Sequence, residues 1–244
     1  MTLIWIPAGR FMMGTDGAGD EHSTEKPQHE LFLSKGFYLS NREVSVEQFM
    51  WFAEDQEYKG PRLVDWEGYD KRISPNIGCP VQQVSWLDAV RYCNWLSREE
   101  GFAIAYDEQE WKPIPGAKGY RLLTEAEWEY ACRAGTETEY SFGNSDATLS
   151  DYAVFNEQTT QPCGSKMPNA WELFDMHGNV CEWCEDTRRS SYATNAESDE
   201  SSRVLRGGSS LDFVNPQRLR SAYRYSIAPG YRGYSIGFRI SRTP

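Results

Sequence analysis

Histidine is scarce in this chain, with three in 244 residues, His22, His29 and His177, too scattered to suggest a metal triad. Basic residues are also in deficit, 25 against 36 acidic, and the net charge of -11 opposes non-specific attraction to nucleic acid or to an anionic membrane surface. Apolar runs such as Leu3-Ile4-Trp5-Ile6 and Leu31-Phe32-Leu33 fall far short of the roughly 20 residues a bilayer span needs. Residues Met1 to Trp5 have no basic start, apolar stretch or small-residue cleavage site, so the expectation is a cytoplasmic product or a mature chain. Display on a cell or phage would then need a partner protein. Six cysteines are too sparse for a disulfide scaffold. The zinc-protease, phosphate-loop, nucleophile-elbow and dinucleotide signatures are all missing, as are internal repeats and low-complexity linkers.

What is present is a globular composition, 39% hydrophobic and 14% aromatic, with 9 Trp, 14 Tyr and 11 Phe, which excludes disorder, coiled coil and collagen. Three segments carry a Ser or Thr followed three residues later by an acid or amide: Ser45 with Gln48, Ser85 with Asp88, and Thr124 with Glu127. This spacing predicts three capped helices. Their apolar residues fall at helical intervals: Phe49 and Phe52, then Ala89, Tyr92, Cys93 and Leu96, then Trp128, Ala131 and Cys132. Gly101 and Gly135 stand where the second and third should stop. The runs 3–13, 29–39 and 237–241 read as strands, so the class is α+β in one domain over 1–244. After Gly135 the text turns rich in Gly, Asn, Ser and Asp, and reads as long loops.

Two local motifs carry possible chemistry. Cys181 and Cys184 have CxxC spacing, but no second pair completes a zinc site and no βαβ pattern surrounds them. Asp175 and Glu182, seven apart with Gly178 and Asn179 between, could wrap a hard cation, whose oxygen ligands favour calcium. The same residues would also make a polar turn with capping acids, and the bare sequence leaves both open.

Taken together, ordered motifs spanning nearly the whole chain resemble the formylglycine-generating enzyme (sulfatase-modifying factor) family. They run from Trp5-Ile6-Pro7-Ala8-Gly9-Arg10-Phe11-Met12-Met13-Gly14 through Glu43-Val44-Ser45, Pro80-Val81-Gln82-Gln83-Val84-Ser85-Trp86 and Arg121-Leu122-Leu123-Thr124-Glu125-Ala126-Glu127-Trp128 to Met176-His177-Gly178-Asn179-Val180-Cys181-Glu182-Trp183. Leu205-Arg206-Gly207-Gly208-Ser209 and Ile236-Gly237-Phe238-Arg239 complete them. The resemblance implies a C-type-lectin-like fold and a structural calcium on Asp175, Gly178, Val180 and Glu182. Enzymes of this family hold copper on two cysteines shortly after Gly-Gly-Ser. Here that stretch reads Ser210-Leu211-Asp212-Phe213-Val214-Asn215, and no cysteine follows Cys184. Soft thiolates are what select cuprous ion, so no copper is expected, and no catalytic residue is assigned.

The tail resembles another branch, the lectin-fold variable proteins of diversity-generating retroelements, over a candidate variable region 205–240. Arg206-Gly207-Gly208-Ser209, Asn215-Pro216, Arg220-Ser221-Ala222, Arg224, Ala228-Pro229, Arg232 and 236–239 would be framework. The positions between them are Leu211, Asp212, Phe213, Val214, Tyr223, Tyr225, Ser226, Ile227, Tyr231, Gly233, Tyr234 and Ser235. Each of these residue types is reachable by changing only the adenines of an asparagine codon. Tyrosines among Ser, Gly, Asp and aliphatics form the rigid, amphipathic surface that paratopes use; the bland alternative is core or surface filler. The recurring Arg206, Arg220, Arg224, Arg232 and Arg239 are expected to be internal partners for buried carboxylates. The implied function is a receptor-like protein that binds a protein or other macromolecular ligand through this tail. The alternative is a formylglycine-enzyme-like oxidase or pseudoenzyme.

Overall fold

The computed structural model describes residues 1–17, 20–63, 65–212 and 215–244. All three capping boxes form. Ser45 Oγ accepts from Gln48 N at 3.3 Å and Gln48 Oε1 from Ser45 N at 3.0 Å, starting α1, Val46–Glu54. Ser85 with Asp88 starts α2, Trp86–Glu99, and Thr124 with Glu127 starts α3, Glu125–Arg133. Beyond the end of α2, Gly101 takes a left-handed backbone (φ 76°), and after α3 Ala134 and Gly135 do the same (φ 47° and 92°). A further short helix, α4, covers Leu149–Tyr152.

The strands depart from the sequence pattern in instructive ways. The run 3–13 is two strands, β1 (Leu3–Ile6) and β2 (Gly9–Met13), separated by Pro7-Ala8, because proline cannot donate to a ladder. The run 29–39 likewise divides into β3 (His29–Leu33) and β4 (Phe37–Ser40). After the short β5 (Tyr120–Arg121), the half expected as loops holds the two longest strands, β6 (Cys181–Arg189) and β7 (Ser198–Arg206), followed by β8 (Arg224–Ile227). Their polar, acidic text hid them. The expected C-terminal strand is only β9 (Ile236–Gly237) and β10 (Ser241–Arg242), with Phe238 and Ile240 carbonyls between them accepting from Val44 N and Ser40 N.

These strands form a sheet in the order β1-β4-β10-β5, a β2-β3 hairpin, and a second four-stranded sheet β8-β7-β6-β9. Since β10 lies between β4 and β5, the last residues are locked inside a sheet begun by the first. The main core joins α1, α2 and the tail: Phe49 meets Tyr92 at 5.7 Å and Phe238 at 6.1 Å between ring centroids. A second cluster packs Trp128 and Ala131 of α3 on Ile6, Phe37 and Leu39. This mixed helix-and-strand architecture is C-type-lectin-like. Among the described residues no helix is long and apolar enough to cross a membrane.

Candidate ligand-binding cleft

The tail is fastened from below by its arginines. Arg239 lies on Glu182 at 2.6–2.9 Å, Arg220 on Glu25 at 2.8 and 2.9 Å, and Arg224 on Glu125 at 2.6 and 2.8 Å. Arg206 pairs with Glu129 in full burial, and Arg232 reaches Asp88 at 2.7 and 3.0 Å. The expectation of internal partners is met at all five. Such pairs contribute less net stability than their Coulomb energy suggests, since both ions lose water, but stranding one is costly.

Between these anchors the chain folds over a cleft of about 320 Å³. Gly207 and Gly208 turn it there with left-handed backbones (φ 95° and 70°), and a Cβ on Gly208 would stand 2.8 Å from the Arg218 carbonyl. The turn delivers Ser209, whose N and Oγ donate to Asp212 Oδ2 at 2.8 and 3.0 Å, while Arg218 Nη1 donates to Oδ1 at 3.1 Å. Alternation along β8 then aims Tyr225 and Ile227 into the cleft.

Seven of the tail positions named from sequence line this one cleft: Leu211, Asp212, Tyr223, Tyr225, Ile227, Tyr231 and Ser235. Three others do not. Ser226, on the opposite face of β8, opens into a neighbouring groove. Gly233 is buried, its carbonyl accepting from Gln83 N, and a side chain there would press on Tyr231 and Ile236. Tyr234 is exposed outside the cleft lining. Phe213 and Val214 lie outside the described residues. Sequence reasoning did not assign Cys181, Leu205, Ser209, Arg218 and Ile236 to the binding surface, and they complete the lining. Cys181 and Ile236 are register partners between β6 and β9, a pairing no local pattern announces.

The cleft offers two exposed rings and protonated hydroxyl and thiol groups. Tyr225 and Tyr231 are about half exposed, 52% and 48%. Burial pushes the Tyr223 hydroxyl up to about 12 and the Cys181 thiol well above its usual range, so at neutral pH both keep their protons. Cys184, three residues on along the strand, points to the other side and is buried in the core, so the CxxC spacing does not make a facing pair. Among the described residues no group of three His, Cys, Asp or Glu side chains is placed to hold a metal.

The loop expected to carry calcium is folded by three left-handed residues, Asp175, Gly178 and Asn179. Glu43, to which no role had been given, organises it by accepting from Val180 N at 3.1 Å and Asn179 Nδ2 at 2.8 Å. Glu182 accepts from Arg239 and, at 2.7 Å, from Trp128 Nε1. Asp175 accepts from Gly164 N through Oδ2 at 2.6 Å, whereas its buried Oδ1 has no partner. Burial pushes the Asp175 carboxyl up to about 6, and burial together with Asp175 and Glu182 raises Glu43. Asp175 Oδ1 is an oxygen that could meet a hard cation here; Glu182 would join only by giving up a bond it already makes.

His177 in the same segment is wholly structural. Its Nδ1–H donates to the Leu219 carbonyl at 2.7 Å, so Nε2 accepts from Ser141 N at 3.1 Å and from Ser141 Oγ at 2.9 Å.

Residues 1–244 match the sulfatase-modifying factor enzyme 1-like domain. The chain belongs to that family. It is 31% identical to the serine/threonine-protein kinase pkn1 of Chlamydia caviae over 98% of its own length, but spans only 38% of the kinase. With the formylglycine-generating enzyme of Mus musculus it shares 27% identity, over 98% of this chain and 74% of that one. Among solved structures, Treponema denticola variable protein 1 superposes with a TM-score of 0.81 at 26% identity, covering 99% of this chain and 95% of that one.

Proposed function

We propose that this family member is a receptor-like ligand-binding protein whose C-terminal cleft contacts a protein or other macromolecule, with its sequence diversified by a retroelement. The observation that carries the reading is the separation within the tail: framework arginines are buried on carboxylates, while seven intervening positions converge on one tyrosine-rich cleft. Similarity to the Treponema variable protein supports it. The test is the DNA flanking the gene. A near-copy of the tail, differing only at adenines in the codons for Leu211 to Val214 and Tyr223 to Ser235, is expected beside a reverse transcriptase; their absence overturns diversification.

The second reading, an oxidase or pseudoenzyme, draws on the mouse enzyme's similarity and on the Cys181 thiol in the cleft. A lone protonated thiol is a poor cuprous site. Copper-dependent oxygen uptake with a thiol substrate should therefore stay at the buffer rate, and turnover would favour the oxidase.

We also propose calcium on the loop of Asp175, Gly178, Val180 and Glu182, supported by the unpartnered buried Asp175 Oδ1. Calcium would tie the turn to β6. A melting temperature that falls with chelator supports this; an unchanged melt removes it.

A further inference from the structure

The ligand cleft does not end at β8. On the other side of Tyr225 a second groove of about 340 Å³ opens, walled by Thr24, Arg188, Arg189, Ser202, Arg224 and Ser226. Tyr225 lines both depressions, so a ligand seated on that ring reaches into each. We propose that the partner is an acidic protein segment, lying across both grooves with an apolar or aromatic anchor in the first and carboxylates in the second. The proposal rests on the binding reading above and adds the chemistry of what is bound.

The charges of the second groove decide its preference. Arg224 contributes architecture only, its guanidinium being spent on Glu125 and on the carbonyls of Thr24 and Arg189. Arg188 and Arg189 close β6 as exposed residues, and neither has a carboxylate within 4 Å among the described residues. Arg189 touches the Ala193 carbonyl at 3.4 Å. The acid nearest in register is Asp199, opposite Arg188 in the ladder; its oxygens accept from Ser201 and Ser202, and its charge acts on Arg188 without an ion pair. Arg218, in the lining of the first cleft, is half exposed and bonds Asp212 through Nη1. Guanidinium donors therefore flank the Tyr225 and Tyr231 rings on two sides, over a floor of Leu205, Ile227 and Ile236. Tyrosine and arginine around an apolar floor is the composition of interface hot spots. In a protein of net charge -11, guanidinium groups beside the cleft would also help to orient an acidic partner on this face.

Random peptides displayed on phage and panned against the full chain test this, with counter-selection on the Tyr225→Ala/Tyr231→Ala double variant. The expected result is a recovered set enriched in Asp and Glu around one apolar or aromatic residue. Binding of these peptides should weaken about tenfold or more in Arg188→Glu/Arg189→Glu and as salt is raised. That variant should melt with the parent, since both side chains are exposed. Recovered peptides that need Tyr225 and Tyr231 but are neutral or basic, or that bind the Arg188→Glu/Arg189→Glu protein equally, overturn the acidic-partner inference and leave the binding reading standing. Failure to recover any peptide that separates the parent from the double tyrosine variant overturns both.

Discussion

Acid should unfold this protein partly through one imidazole. His177 is buried with Nδ1–H on the Leu219 carbonyl and Nε2 accepting from Ser141, so a second proton would point at the Ser141 N–H. Burial foremost holds its pKa down at about 4, against about 6.5 in an unfolded chain. The folded value is the lower one, so the stabilisation is complete above pH 6.5 and is lost as pH falls toward 4. That interval at 1.36 kcal/mol per pH unit amounts to about 3 kcal/mol. Buried carboxylates with raised values, Asp175 and Asp186 among them, act in the opposite direction, so a single stability profile mixes signs. The comparison that isolates His177 is parent against His177→Gln, by urea unfolding at several pH values between 7.5 and about 4. The stability difference should favour the parent by about 3 kcal/mol more at pH 7.5 than at pH 4. A difference that does not change with pH would show that the imidazole is not the neutral acceptor described.

Three further outcomes are expected. Asp186, pushed up to about 7 by burial and then by Glu125, costs the fold stability progressively as pH rises from about 4 and in full above about 7; Asp186→Asn should raise the melting temperature at pH 8 and lose that advantage at pH 4. Arg239→Met should cost about 3–5 kcal/mol in denaturant unfolding, because Glu182 would be left buried without its guanidinium. Tyr225→Ala and Tyr231→Ala, at exposed positions, should each change stability by about 0.5 kcal/mol or less while removing ligand contact.

The features readable in the sequence are those specified within a few residues. Each capping box needs only a hydroxyl and an acid or amide three positions on, and all three helices start where these stand. The strands β6 and β7 were unreadable because their stability is specified elsewhere: Glu182 looks like a surface acid until Arg239 arrives from the last turn of chain. Glu43 is the same case in reverse, its partners lying about 137 residues away at Val180. Within the cleft most residues supplied by the tail loops and β8 were found, whereas Cys181 of β6, Leu205 of β7, Ile236 of β9 and Arg218 were not. Ser226 opens on the other face of β8 from Tyr225 and Ile227, a division that three neighbouring letters do not show until the strand is known.

The division of labour along the tail has a consequence for how the protein can change. The arginines of the tail that hold the fold point inward and meet carboxylates on other segments; the side chains of residues such as Leu211, Tyr225 and Tyr231 line the cleft. Under the proposed diversification, alterations to the second set would leave the first untouched, so specificity and foldability would be inherited as nearly independent traits. A lineage that keeps five arginines and two left-handed glycines could then explore many surfaces without passing through unfolded ancestors.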